Sequence, residues 1–99
     1  MRVDYDSEAD ALSIELRPHR RYDDQEQVDD DFCNVGIVDG QVVDVELLSP
    51  ARHLDLLSLA ARSYELDGVA LVAAAQAGLA APDCLITVEV ESRGLAKAA

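Results

Sequence analysis

The chain has no tryptophan, one phenylalanine, one methionine and a single lysine, Lys97. With aromatics at 4 %, its interior must be built from aliphatic side chains, and Val, Ile and Leu together supply 27 of the 99 residues. That is enough for a modest core without metal or disulfide staples. Cysteine is scarce as well. Cys33 and Cys84 form no CxxC pair and have no histidine at ligand spacing, so neither a zinc site nor a dithiol redox motif is indicated. The simplest reading is two reduced, buried thiols on strands.

Basic residues are the most telling shortage. Eight Lys and Arg stand against 20 Asp and Glu, giving a net charge of −12. This balance excludes a sequence-independent nucleic-acid binder and a polybasic membrane anchor. No apolar run approaches the roughly 20 residues of a bilayer span, and the opening Met-Arg-Val-Asp-Tyr-Asp has no signal-peptide-like apolar stretch. A single soluble, cytoplasmic domain is expected, spanning residues 1–99. Residues 1–54 form its strand-rich part, 55–91 a helical extension with a last strand, and 92–99 a tail.

The acidity is uneven. Residues 1–55 hold 15 acids and 5 bases, whereas residues 56–99 hold 5 acids and 3 bases. The first part alternates polar and apolar residues with period two, which is the mark of half-buried strands. Arg2–Asp6 reads as one strand. Ala11–Arg17 reads as a second, with Leu12, Ile14 and Leu16 inward, and the two are joined by a turn bracketed by Asp6 and Asp10. Pro18 ends the second strand because it has no N–H for the ladder. Residues 18–31, PHRRYDDQEQVDDD, read as a polar loop, a basic trio followed by a run of acids. Cys33, Val35 and Ile37 share one face of a third strand. Asp39-Gly40 is a hairpin signal of the kind that takes positive φ at both central positions. Gln41–Leu48 is then a fourth strand, with Val43, Val45 and Leu47 inward and Asp44 and Glu46 outward.

A four-stranded antiparallel β-meander with one apolar face must be covered. Ser49-Pro50 predicts the start of a covering helix running to about Arg62, with serine as N-cap and proline at the first position. Asp67 predicts the cap of a second helix, Gly68 to about Ala80, whose one clearly polar side chain is Gln76. Cys84–Glu91 alternates as a fifth strand. The fold class is therefore α+β, a meander followed by two helices and a returning strand. Both helices are apolar over more of their surface than one sheet contact would use. A second copy of the chain is the simplest cover, so a homodimer is expected.

Three constellations could carry chemistry. Asp29-Asp30-Asp31, with Asp23, Asp24 and Glu26 upstream, offers clustered carboxylates of the sort that hard divalent cations take. The run lacks the alternating acids, glycine and closing glutamate of a calcium loop, so a solvated acidic loop or an acidic face for a basic partner fits it better. His19 and His53 are candidate bases, but no serine has the flanking glycines of a nucleophile elbow. The opening Tyr5–Leu12 carries Asp6, Glu8 and Asp10 on an exposed turn, where nothing would push two carboxyl pKa values apart.

That opening also carries a resemblance. Y-D-x-E-A-D-A-L-x-I, formed by Tyr5, Asp6, Glu8, Ala9, Asp10, Ala11, Leu12 and Ile14, resembles the start of a small bacterial domain family of unknown function. Val28-Asp29-Asp30, Asp39-Gly40 and the stretch from Val43 to Ala51 are similar to its later segments, so the likeness spans residues 3 to about 54. It implies a small β-meander domain, and for some members an acidic, antitoxin-like half of a toxin–antidote pair. It names no active site, and this chain departs from it by adding a second helix and a fifth strand.

The expected function is thus an acidic, non-enzymatic protein-binding or regulatory module without a cofactor. Its partner would be a basic protein engaged through Asp24, Glu26, Asp29, Asp30, Asp31, Asp44 and Glu46. The alternative is a small-ligand or divalent-metal-dependent enzyme using Asp29–Asp31 with His19.

Overall fold

In the computed structural model, residues 1–19, 21 and 23–89 are described. They form an α+β domain in which one antiparallel sheet of six strands is covered on one face by two helices. The strands are β1 (Arg2–Asp6), β2 (Ala11–Glu15), β3 (Asp24–Asp29), β4 (Cys33–Val38), β5 (Gln41–Leu48) and β6 (Leu85–Thr87), and the helices are α1 (Leu54–Tyr64) and α2 (Gly68–Ala80).

The β1–β2 turn is made by local hydrogen bonding. The Asp6 carboxylate accepts the Glu8 and Ala9 N–H groups at 3.0 and 3.1 Å, and Asp10 takes a left-handed φ of 52°. Tyr5 Oη donates to Asp10 Oδ1 at 2.7 Å. Asp39 and Gly40 turn β4 into β5 with φ of 52° and 75°, the positive pair that the dipeptide predicts.

The expected meander becomes a different strand order, β3-β4-β5-β2-β1-β6. The second strand pairs with β5, not with the next strand in sequence, because Leu12 and Ile14 find their apolar partners in Leu47 and Val45. The 18–31 segment, expected to be loop throughout, contains β3. That strand has no apolar alternation of its own. It is held by its backbone ladder to β4, with Asp24 opposite Ile37 and Glu26 opposite Val35. A bulge where Ile37 pairs with Val42 shifts β5. Val42 therefore joins the core, while Val43, expected inward, is buried along an outer cleft.

The first helix begins later than expected. Pro50–Arg52 forms a single 3₁₀ turn, closed by Arg52 N–H to the Ser49 carbonyl and His53 N–H to that of Pro50. Ser49 sits at a left-handed φ of 47° and makes no side-chain cap. Its side chain cannot reach the first helical amides from there, and α1 starts only at Leu54. Glu65, at φ 57°, ends it. Asp67 does cap α2, its carboxylate accepting the Ala70 N–H at 3.1 Å.

The core lies between sheet and helices. Val3, Leu12, Ile14, Val35, Val45 and Leu47 of the sheet meet Leu57 of α1 and Leu71, Ala74 and Ala75 of α2, all buried. Gly78 marks the closest approach. A Cβ built there would stand 2.5 Å from Val3 Cγ1 and 3.2 Å from Leu12 Cδ1, so the absence of a side chain is what lets α2 lie against β1 and β2. The last strand is shorter than the expected 84–91. β6 holds three residues against β1, and residues 90–91 of that expectation, like the 92–99 tail, fall outside the described residues. Around β6, Asp83 accepts both the Ser7 N–H and hydroxyl at 2.9 and 2.6 Å.

Candidate interaction surface

Register decides which acid faces which way. Gln25, Gly36, Asp44, Glu15 and Arg2 form one cross-strand row, and Gln27, Asn34, Glu46, Ser13, Asp4 and Leu85 form the next. Both rows lie on the face away from the helices, since the rows between them hold Val35, Val45, Ile14 and Val3 of the core. The outer face is thus acidic through Asp4, Glu15, Asp44 and Glu46.

Asp44 is a correction to the candidate partner-binding set. It is only 4 % exposed. Its Oδ1 accepts the Gly36 N–H of the neighbouring strand at 3.1 Å. Its Oδ2 lies 3.4 Å from His19 Nε2. His19 Nδ1 in turn donates to the Arg17 carbonyl at 3.0 Å and lies 3.7 Å from Glu15 Oε2. The segment after β2 therefore folds back over the sheet, and His19 covers the carboxylate that alternation points at solvent. Asp44 serves the fold. Glu46, two residues on, is half-buried.

The remaining candidates lie on β3 and its turn, two strands away from Asp44 and Glu46 of β5. Asp24 and Glu26 are exposed and, by register, lie on the helix-facing side of the sheet's edge. Glu26 Oε1 accepts the Tyr64 hydroxyl at 2.6 Å, which ties the strand to the end of α1 and pushes the phenol pKa up to about 12. Asp29 does structural work at the turn, its Oδ2 accepting the Asp31 and Phe32 N–H groups at 3.1 and 3.0 Å. Asp30 and Asp31 are exposed. The aspartate run is thus splayed along a turn, and among the described residues no three His, Cys, Asp or Glu side chains are grouped to hold a metal ion.

The second histidine is also structural. His53 stacks on Phe32 with ring centroids 4.0 Å apart, and its Nδ1 donates to the Ser49 carbonyl at 3.0 Å. Cys33 is buried as expected, and burial, with Asp29 nearby, raises its thiol pKa to about 11, whereas Cys84, expected buried on a strand, is exposed just ahead of β6. Sequence reasoning missed an open cleft of about 400 Å³ lined by Arg17, Pro18, His19, Arg21, Val43 and Gln41, with Asp23 and Asp39 at its side. Arg17 donates to Gln41 across it. The basic trio beginning at His19 was its one signal, and Arg20 lies outside the described residues. The cleft mixes cationic and anionic groups in nearly equal number, so it has no clear preference for a ligand of either sign.

Among family models, curated proteins and solved structures, none matches this chain.

Proposed function

We propose that this chain is an acidic, non-enzymatic module that binds and regulates a basic protein in the cytoplasm, in the manner of an antitoxin. The observation that carries the reading is the charge: −12 over 99 residues, with Asp4, Asp24, Glu26, Asp30 and Asp31 exposed. A surface of one sign speeds encounter with an oppositely charged partner and rejects like-charged ones. The resemblance of residues 3–54 to a family with antitoxin-like members points the same way. Co-purification from the native host tests it: the captured protein should be basic and should elute as salt is raised. Capture that is indifferent to salt, or of acidic proteins alone, refutes the electrostatic reading.

The same proposal includes a homodimer. Helix α2 carries no charged residue, and Val69, at its start, is 78 % exposed. Pairing through this uncharged side keeps the acids of two copies apart. Light scattering should give twice the monomer mass at micromolar concentration, and a strict monomer removes this part.

A further inference from the structure

β3 ends the sheet on its side, and among the described residues only β4 pairs with it. An edge strand turns alternate N–H and C=O groups away from the sheet, which makes it a template for another strand. On β3 the template is exposed, with one donor, the Gln25 N–H, held by the Asp24 carboxylate at 2.8 Å, a local bond that an incoming strand would replace. Asp24, Gln25, Glu26 and Gln27 are exposed in succession. They also alternate in kind. Asp24 and Glu26 sit opposite Ile37 and Val35 on the helix side, while Gln25 and Gln27 sit opposite Gly36 and Asn34 on the outer side.

Resting on the acidic-module reading above, we infer that β3 is where the partner docks, by adding an extended segment to this edge with basic residues at every second position. The pleat sets the spacing. An incoming strand places residues i and i+2 across from Asp24 and Glu26, and its intervening residues across from the two glutamines. Tyr64 holds the Glu26 carboxylate in place from α1 while leaving its charge and second oxygen free to a partner, so one of the two acids is ordered in advance. A second copy is a poor occupant, because β3 against β3 sets acid beside acid, and like charges across a ladder repel. The partner is therefore a basic, alternating strand of another protein. Main-chain bonding supplies affinity and the two acids select the sequence.

The test compares three short peptides on the full chain at low salt by fluorescence anisotropy. One alternates arginine and threonine. One has the same composition with its arginines in a single block. The third is the alternating peptide N-methylated at every second backbone amide. The alternating peptide should bind roughly two- to thirty-fold tighter than the block, the range expected of two opposed charge pairs. It should also slow amide exchange at residues 24–29, and methylation should abolish both effects. Asp24→Asn with Glu26→Gln should erase the preference for alternation, whereas Asp30→Asn with Asp31→Asn should keep it. Equal binding of all three peptides, with no protection of residues 24–29, overturns the inference and leaves the general electrostatic reading standing. Absence of binding by all three removes both.

Discussion

Replacing Gly78 by alanine adds one methyl group at the tightest contact between α2 and the sheet. Its Cβ would stand 2.5 Å from Val3 Cγ1 and 3.2 Å from Leu12 Cδ1, well inside van der Waals contact. Neither neighbour can give way easily. Both are fully buried, and Val3 is β-branched and stiff at χ1. Such overpacking costs about 1–3 kcal/mol, and a clash of this depth belongs at the upper end. Alanine inside a helix returns about 1 kcal/mol relative to glycine. The net expectation is a loss of about 2 kcal/mol, or a Tm lower by roughly 10 °C in a domain of this size. Thermal and urea melts followed by far-UV circular dichroism measure it. Val3→Ala removes the opposing methyl groups. In that background Gly78→Ala should be neutral or stabilising, so the two substitutions should couple by more than about 1 kcal/mol. A Gly78→Ala protein as stable as the wild type, or strict additivity with Val3→Ala, would refute the packing account.

Three further outcomes follow from the geometry. Asp44→Ala strips the Gly36 N–H of its acceptor and leaves His19 over an empty site, and urea melts should show a loss of about 1–3 kcal/mol, against almost none for the exposed Asp31→Ala. In a thiol titration of the native protein at neutral pH, Cys84 should react promptly, while Cys33, buried and with its pKa raised to about 11, should react only on unfolding; two fast thiols would contradict the burial. The Tyr64 phenol is raised from 10.0 to about 12 by its bond to Glu26, so the neutral form is favoured by folding. That contribution is complete below the unfolded value and is lost as pH rises from about 10 to about 12; Tyr64→Phe should flatten this part of the stability profile, and an unchanged slope would mean the bond contributes nothing.

Period-two alternation marked β1, β2, β4 and β5, because each buries one face and exposes the other over consecutive residues. Asp39-Gly40 and Asp67 were equally legible, since a turn and a helix cap are satisfied within a few residues of themselves. Ser49-Pro50 carried the same kind of signal and misled, because Ser49 adopts a left-handed backbone whose side chain cannot reach the helix. β3 was hidden for the opposite reason. Asp-Gln-Glu-Gln-Val-Asp has no buried face to advertise, and it is a strand only because β4 lies beside it. The candidate acids divided along the same line. Composition identified an acidic surface, but alternation gives the face on which a carboxylate emerges and is silent about what folds over it. Asp44 emerges outward as expected and is then covered by His19.

The amino-acid order by itself thus determined the charge, the α+β class, most of the strands and the places where the chain turns, all matters of a residue and its near neighbours. The tertiary structure alone decided that β2 lies beside β5, that β3 is a strand at the sheet's edge, and which carboxylates remain open to a partner. Those depend on segments distant in the chain, whose meeting is set by packing across the sheet and not by any local preference.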